Sequence, residues 1–430
     1  MKVLVVGGGG REHALGWALK RDAPDTTLFA APGNPGTATL GTNLPIAATA
    51  VDELVAAVIQ HHIEVTIIGP EGPLAAGLAD RLRAAHQGGA VFGPSQAAAR
   101  LESSKAYAKE VMRRAGVATA ASATFTELAP ALEYIGAHTE PLVVKASGLA
   151  AGKGVIVCST RAEAADAARV MLVARALGDA GNEIVVEEFL EGEELSVLAL
   201  TDGERIVILP PAQDHKRLGD GDTGPNTGGM GAYCPVTLTT APLLARVRRD
   251  VLEPVLREMA AQGAPYEGVL YAGLMLARDG TPYVLEFNCR FGDPEAQAIL
   301  PALPKGATKH LLDIARRHWR PKRQVIAPTR AAVTTVLAAR GYPEKPERGA
   351  AIRIPQDLGP NVLVFHAGTA RDAGGTLTTA GGRVLNVTGL GADVPAAARA
   401  SAAACERIAF DGKSWRRDIA WRELQRAGAA

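Results

Sequence analysis

Residues 2–10 read KVLVVGGGG and run directly into REHALGWALKRD (11–22). Four apolar residues, Val3 to Val6, without polar alternation describe a strand buried on both faces, which is the habit of parallel sheets. Four glycines then give a tight turn, and the next residues have helical spacing. A chain that starts strand–glycines–helix is restricted to architectures in which helices cover a parallel sheet. The pattern repeats. TLFAAPG (27–33), EVTIIGPEGP (64–73) and AVFGPS (90–95) read as further strands between helical stretches. Residues 1–103 are therefore expected to form an α/β domain with a doubly wound parallel sheet.

Strand–glycines–helix is also a phosphate-binding arrangement, because bare N–H groups and a helix N-terminus face the anion. It is not a dinucleotide fingerprint here. The third glycine of GxGxxG falls on Glu12 or His13, and no acid closes the second strand. Two readings remain: a phosphate of some other ligand, or a glycine turn with no ligand. Under the first, the turn residues Gly9, Gly10, Arg11 and Glu12 are candidate ligand contacts. Gly33, Asn34 and Glu71 follow later strands and belong to the same carboxyl edge, where such sheets bind ligands.

The pattern changes near residue 101. LESSKAYAKEVMRRAG (101–116) is an amphipathic helix with Gly116 as its stop. Strands are expected in 141–157, 183–200, VLYAGLML and PYVLEFNCRFGD (282–293). The basic, proline-bearing RPKRQVIAPTR (320–330) marks a boundary, which divides the remainder into 104–323 and an α+β domain at 324–430. Net charge is +1, so no polybasic surface for nucleic acid or anionic membrane is expected. No apolar run is long enough to span a bilayer, and the N-terminus has too short an apolar core for a signal peptide. The four cysteines form no CxxC pair, which suits a reducing cytoplasm.

Four segments carry chemistry. In VLEFNCR, alternation puts Glu286, Asn288 and Arg290 on one face. A carboxylate and an amide oxygen suit Mg²⁺, which takes few protein ligands plus nucleotide phosphates, and Arg290 suits a carboxylate or phosphate. The alternative is a solvated polar face. In KASGLAAGKG, Lys145 ends an apolar strand and Lys153 sits among glycines, an arrangement for folding over a polyphosphate or simply an exposed hairpin. It is not a Walker A loop. EEFLEGEE offers backbone groups of Glu187 and Leu190 to an adenine edge and Glu194 to ribose hydroxyls, or is only an acidic turn. Last, QDHKRLGDGDTGPNTGGMGAY (213–233) holds six glycines and five charged residues and little that could build a core.

Taken in order, GGGGREHA (7–14), APGNPGT (31–37), GPEGPL (69–74), LESSKAYAK (101–109), KASGLAAGKGV (145–155), EEFLEGEE (187–194), the 213–233 segment, LYAGLM (270–275), EFNCRFGDPEAQ (286–297) and FHAGT (365–369) resemble the glycinamide ribonucleotide synthetase (phosphoribosylamine–glycine ligase) family of the ATP-grasp superfamily. The resemblance extends over nearly the whole chain. It implies a central ATP-grasp domain at 104–323, with a lid subdomain at about 118–190. Gly8, Ser147, Ala296 and Ala380 depart from the residues common in the family, and none of these changes removes a metal ligand or a lysine.

The resemblance implies ligation of glycine to 5-phosphoribosylamine, with ATP activating glycine as glycyl phosphate. Lys105 and Lys145 would hold the ATP phosphates. Mg²⁺ or Mn²⁺ would sit on Glu286 and Asn288, since YAGLML brings no acid from the preceding strand. Arg290 would act on the glycine carboxylate and the transferring phosphoryl group, and the first glycine loop on the 5′-phosphate. Asp214 and Lys216 would contact sugar or amine within a mobile lid made by the 213–233 segment. A monomer acting on small molecules is expected. Another ATP-grasp ligase and a nucleotide-binding regulator without turnover are the competing expectations.

Overall fold

The computed structural model describes residues 1–150 and 154–428. At the N-terminus, strands Lys2–Gly7, Thr27–Pro32, Val65–Ile68 and Ala90–Phe92 form an all-parallel sheet, edged by the two-residue strand Thr42–Asn43. Val3, Leu4, Val5 and Val6 are fully buried, as a strand covered on both faces must be. Helix Gly10–Asp22 follows the glycine turn. Gly7 has φ +123°, and a Cβ there would fall 2.5 Å from Glu12 Cγ, so only glycine fits.

The single helix expected over 101–116 is broken at Ser104. Helices Gln96–Ser103 and Lys105–Ala115 meet there with Ser104 extended (φ −140°, ψ 108°). The Ser104 hydroxyl accepts from the Tyr107 N–H at 3.2 Å, an N-cap that amphipathic spacing alone does not reveal. Gly116 ends the second helix at φ +67°.

The stretch expected as a lid contains a four-stranded antiparallel sheet in the order Ser122–Phe125, Ile184–Glu188, Leu142–Ala146, Val155–Cys158. Helices Leu128–Ala137 and Arg161–Leu172 close it over a separate small core that includes Ile135, Val144, Ala168 and Val186. The next strand, Glu193–Thr201, belongs to a different sheet, with Ile206–Ile208, Gly268–Leu276 and Pro282–Asn288. The acidic turn at 189–192 therefore connects two sheets, and the cleft opens between them.

The 213–233 segment is not a bare loop. Its ends form strands Gln213–Asp214 and Gly231–Cys234, and these join Ala331–Ala338, Arg383–Gly391 and Val362–His366 in one antiparallel sheet. A hairpin of Arg217–Gly219 with Thr223–Asn226 lies between them. Residues from 416 onward hold that hairpin down. Arg416 is buried, donates to the Arg217 carbonyl at 3.1 Å and pairs with Asp222 at 2.8 Å. Asp418 accepts from the Gly221 N–H at 2.9 Å, and Ala420 N–H donates to His215 Nε2 at 3.1 Å. The bare loop expected of this segment is thus a hairpin tied to the C-terminal residues. Composition hid a pinned hairpin whose partners lie some two hundred residues further along the chain. Among the described residues, no helix is long and apolar enough to cross a membrane.

Candidate active site

A cleft of ≈ 860 Å³ lies where the three parts of the chain meet. One wall is the pair Gly268–Leu276 and Pro282–Asn288. Gly273 stands opposite Glu286, and Tyr271 opposite Asn288. A bulge between Gly273 and Leu274 interrupts strict alternation, so Leu285 as well as Glu286, Asn288 and Arg290 lines the cleft. Glu286 and Asn288 have no hydrogen-bond or ion-pair partner for their side chains among the described residues. Burial works to raise the Glu286 pKa, but Lys216, Lys105 and Lys145 together hold it below the usual value. An anionic carboxylate and a free amide oxygen in a polar cleft fit a divalent cation completed by phosphate oxygens. Among the described residues, no group of three or more His, Cys, Asp or Glu forms a self-sufficient metal cage.

Facing that wall, the lid sheet supplies Lys145. Its ammonium pairs with Glu187 at 2.7 Å and donates to the Leu285 carbonyl at 3.1 Å. Lys109 pairs with the other oxygen of Glu187 at 3.0 Å. Glu187 lies in a central strand, with Val143 opposite on one side and Ser122 on the other. Its carboxylate is turned to these two lysines. Leu190, beyond the strand end, makes no backbone hydrogen bond among the described residues, so its N–H and C=O stay free for a ligand edge. Lys105 opens its helix and makes no ion pair among the described residues. Burial pulls its pKa down, Glu286 opposes this, and Lys145 adds to the lowering. A lysine at a helix N-terminus sits against the dipole and is relieved by an anion. Lys153 and Gly152 lie outside the described residues.

At the cleft floor, Arg290 lies between Glu102 at 2.7 Å and Glu71 at 3.3 Å. Burial disfavours its charge, yet Glu102, Glu71 and Glu295 raise its pKa. Lys216 pairs closely with Glu194 and lies 4.0 Å from Asp214. Burial first, then Glu295, Glu194 and Glu286, push the Asp214 carboxyl up to about 7 against the pull of Lys216.

Three family models match in succession: phosphoribosylglycinamide synthetase N domain over residues 1–102, its ATP-grasp (A) domain over 103–296, and its C domain over 332–422. The chain belongs to the phosphoribosylglycinamide synthetase family. A phosphoribosylamine–glycine ligase of Vibrio parahaemolyticus is 46% identical over 436 residues, covering 99% of each chain. One from Ralstonia nicotianae is 48% identical over 429 residues, covering 99% of this chain and all of its own. The solved Thermotoga maritima phosphoribosylamine–glycine ligase superposes with TM-score 0.86 at 37% identity, covering 97% of this chain. The biotin carboxylase domain of a Hydrogenobacter thermophilus 2-oxoglutarate carboxylase shares the fold, with TM-score 0.73 at 18% identity and 96% of this chain covered.

Within this synthetase-family cleft lie Arg11, Glu71, Lys105, Lys145, Glu187, Leu190, Glu194, Asp214, Lys216, Glu286, Asn288 and Arg290. Gly9, Gly10, Glu12, Gly33 and Asn34 are not among the residues lining it, although Arg11 of the same turn is. The turn is braced by its own neighbours. Gly9 N–H donates to Glu12 at 2.7 Å and Arg11 N–H to Asp293 at 3.4 Å. The Asn34 amide donates to the Gly8, Gly9 and His366 carbonyls. A Cβ on Gly10 would fall 2.2 Å from the Asn386 amide, so this glycine serves the contact with the C-terminal domain.

The departure at Ser147 has a structural role. Its hydroxyl accepts from the Ala106 N–H at 3.2 Å and its carbonyl from the Lys105 N–H at 2.8 Å, docking the lid strand onto the Lys105 helix. Sequence reasoning missed Glu102, Lys109, Tyr271, Asp293, Glu295 and Arg383, all of which line the cleft. Glu102 and Lys109 lay within LESSKAYAK. Arg383, from the C-terminal domain, lay three residues after the noted departure at Ala380.

Proposed function

We propose that this chain is a phosphoribosylamine–glycine ligase, which joins glycine to 5-phosphoribosylamine and converts ATP to ADP and phosphate. The observation that carries the reading is the meeting of Lys105, Lys145, Glu286, Asn288 and Arg290 in one cleft, with Asp214 and Lys216 across from them. A carboxylate is a poor electrophile, and phosphorylation by ATP makes glycine an acyl phosphate. The amine of phosphoribosylamine attacks the acyl carbon, and phosphate leaves.

Alignment and charge neutralisation dominate phosphoryl transfer. Lys105 and Lys145 bind the ATP phosphates, and the Lys105 helix N-terminus adds to their field. The free Leu190 N–H and C=O meet the adenine edge. Glu286 and Asn288 would hold Mg²⁺ or Mn²⁺, which would neutralise phosphate charge. Arg290, held by two carboxylates, keeps its remaining donors oriented toward the glycine carboxylate and the transferring group. The first glycine turn, Gly9 and Gly10 with Arg11, takes the 5′-phosphate of phosphoribosylamine, and Arg383 adds a cation to the same cleft. Closure of the lid sheet over the cleft would exclude water from the acyl phosphate. Buried, unpaired Cys158, Cys234, Cys289 and Cys405 suit a cytoplasmic enzyme, and we assign it as a monomer.

The test is phosphate release from Mg-ATP with glycine and phosphoribosylamine generated in situ, with each component omitted in turn. Release that requires all components, with equimolar glycinamide ribonucleotide, is expected. Release with bicarbonate or another carboxylate in place of glycine would overturn the reading.

A further inference from the structure

Glu295 is a carboxylate that the steps above leave unused. It opens helix Glu295–Ala302 and is 4% exposed. One of its oxygens accepts from the Tyr271 hydroxyl at 2.6 Å and from the Ser196 hydroxyl at 3.4 Å, and those hydroxyls are 2.8 Å from each other. Its other oxygen has no hydrogen-bond partner among the described residues. The space beside that oxygen is kept open by Gly292, where a Cβ would fall 2.3 Å from it. Asp214, with its side chain 8% exposed, also makes no side-chain hydrogen bond among the described residues, and its nearest cation is Lys216 at 4.0 Å. Two buried carboxylates with unfilled acceptor sites are unfavourable unless a cationic donor fills them. Both line the same cleft as Arg290. A guanidinium beside paired carboxylates is the complement of a small zwitterion.

We propose that Asp214 and Glu295 bind the ammonium group of glycine while Arg290 takes its carboxylate, with Tyr271 and Ser196 positioning Glu295. This rests on the ligase reading. The same contact rejects glycolate, whose hydroxyl brings no charge to two buried anions.

The experiment compares wild type, Glu295→Gln and Tyr271→Phe by steady-state kinetics, varying glycine, ATP and phosphoribosylamine separately, with glycolate as alternative substrate. Glu295→Gln is expected to raise the glycine KM by at least about tenfold, with the ATP KM within about twofold of wild type. Tyr271→Phe, acting through Glu295, is expected to shift the glycine KM in the same direction by about threefold. The discrimination against glycolate should fall in both. An unchanged glycine KM in either folded variant, or a rise confined to ATP or phosphoribosylamine, would overturn the assignment. Should Glu295→Gln not fold, Tyr271→Phe decides alone. A wild-type enzyme that makes no product from glycine would refute the ligase reading itself, a result separable from any change between variants.

Discussion

Lys145 and Glu187 stand on adjacent antiparallel strands of the lid with ammonium and carboxylate 2.7 Å apart, and both side chains are almost wholly buried. The carboxylate is shared with Lys109, so the lid lysine that faces the phosphates is oriented before any nucleotide arrives. Replacing Lys145 with Met leaves Glu187 its second partner. We expect a stability loss of only about 1–3 kcal/mol. ATP-dependent turnover should fall about a hundredfold or more. Urea unfolding and phosphate release separate the two effects.

Arg290 gives the opposite balance. It is the partner of both Glu71 and Glu102, and Arg290→Ala leaves the buried Glu102 and the half-buried Glu71 without it. A loss of about 3–5 kcal/mol is expected. Arg290→Lys keeps the charge but not the planar fork, so it should recover much of the stability and little of the turnover. Thermal unfolding of both variants beside their activities checks this.

Gly8 is where the family usually has asparagine. A Cβ at this position would fall 2.7 Å from the Gly33 carbonyl, in backbone that has no easy way to yield. Gly8→Asn is therefore expected to destabilise this chain by about 1–3 kcal/mol, despite restoring the common residue. A denaturation midpoint unchanged from wild type would contradict that.

The Asp214 carboxyl, pushed up to about 7 mainly by burial and by Glu295, Glu194 and Glu286, has a definite pH signature. An acid whose folded pKa lies above its unfolded value of about 3.9 favours folding while protonated. That stability is present below about pH 4 and is lost as pH rises through about 7. Function runs the other way, because only the ionised form holds a cation. kcat/KM for glycine should rise through about pH 7, and Asp214→Asn should abolish that limb while removing the stability loss.

The sequence was most legible where local chemistry decides local structure. KVLVV followed by glycines became a buried parallel strand and a helix, and VLEFNCR became the cleft wall carrying Glu286 and Asn288. Legibility failed where long-range partners decide. The glycine turn gives no sign in the sequence that Glu12, Asp293 and Asn34 brace it. The 213–233 segment reads as mobile because its anchors, Arg416 and Asp418, follow far behind in the chain.

Strand Gly231–Cys234 pairs directly with Ala331–Ala338, and that strand with Arg383–Gly391. During synthesis the first of these strands leaves the ribosome roughly a hundred residues ahead of its partner, a wait on the order of ten seconds. For that interval an apolar edge, with the reaction cleft beside it, stands open to any other unpaired strand. The last hundred residues thus act as a built-in chaperone for the middle of the chain, and a protein halted at residue 323 would be a nascent aggregate rather than a smaller enzyme.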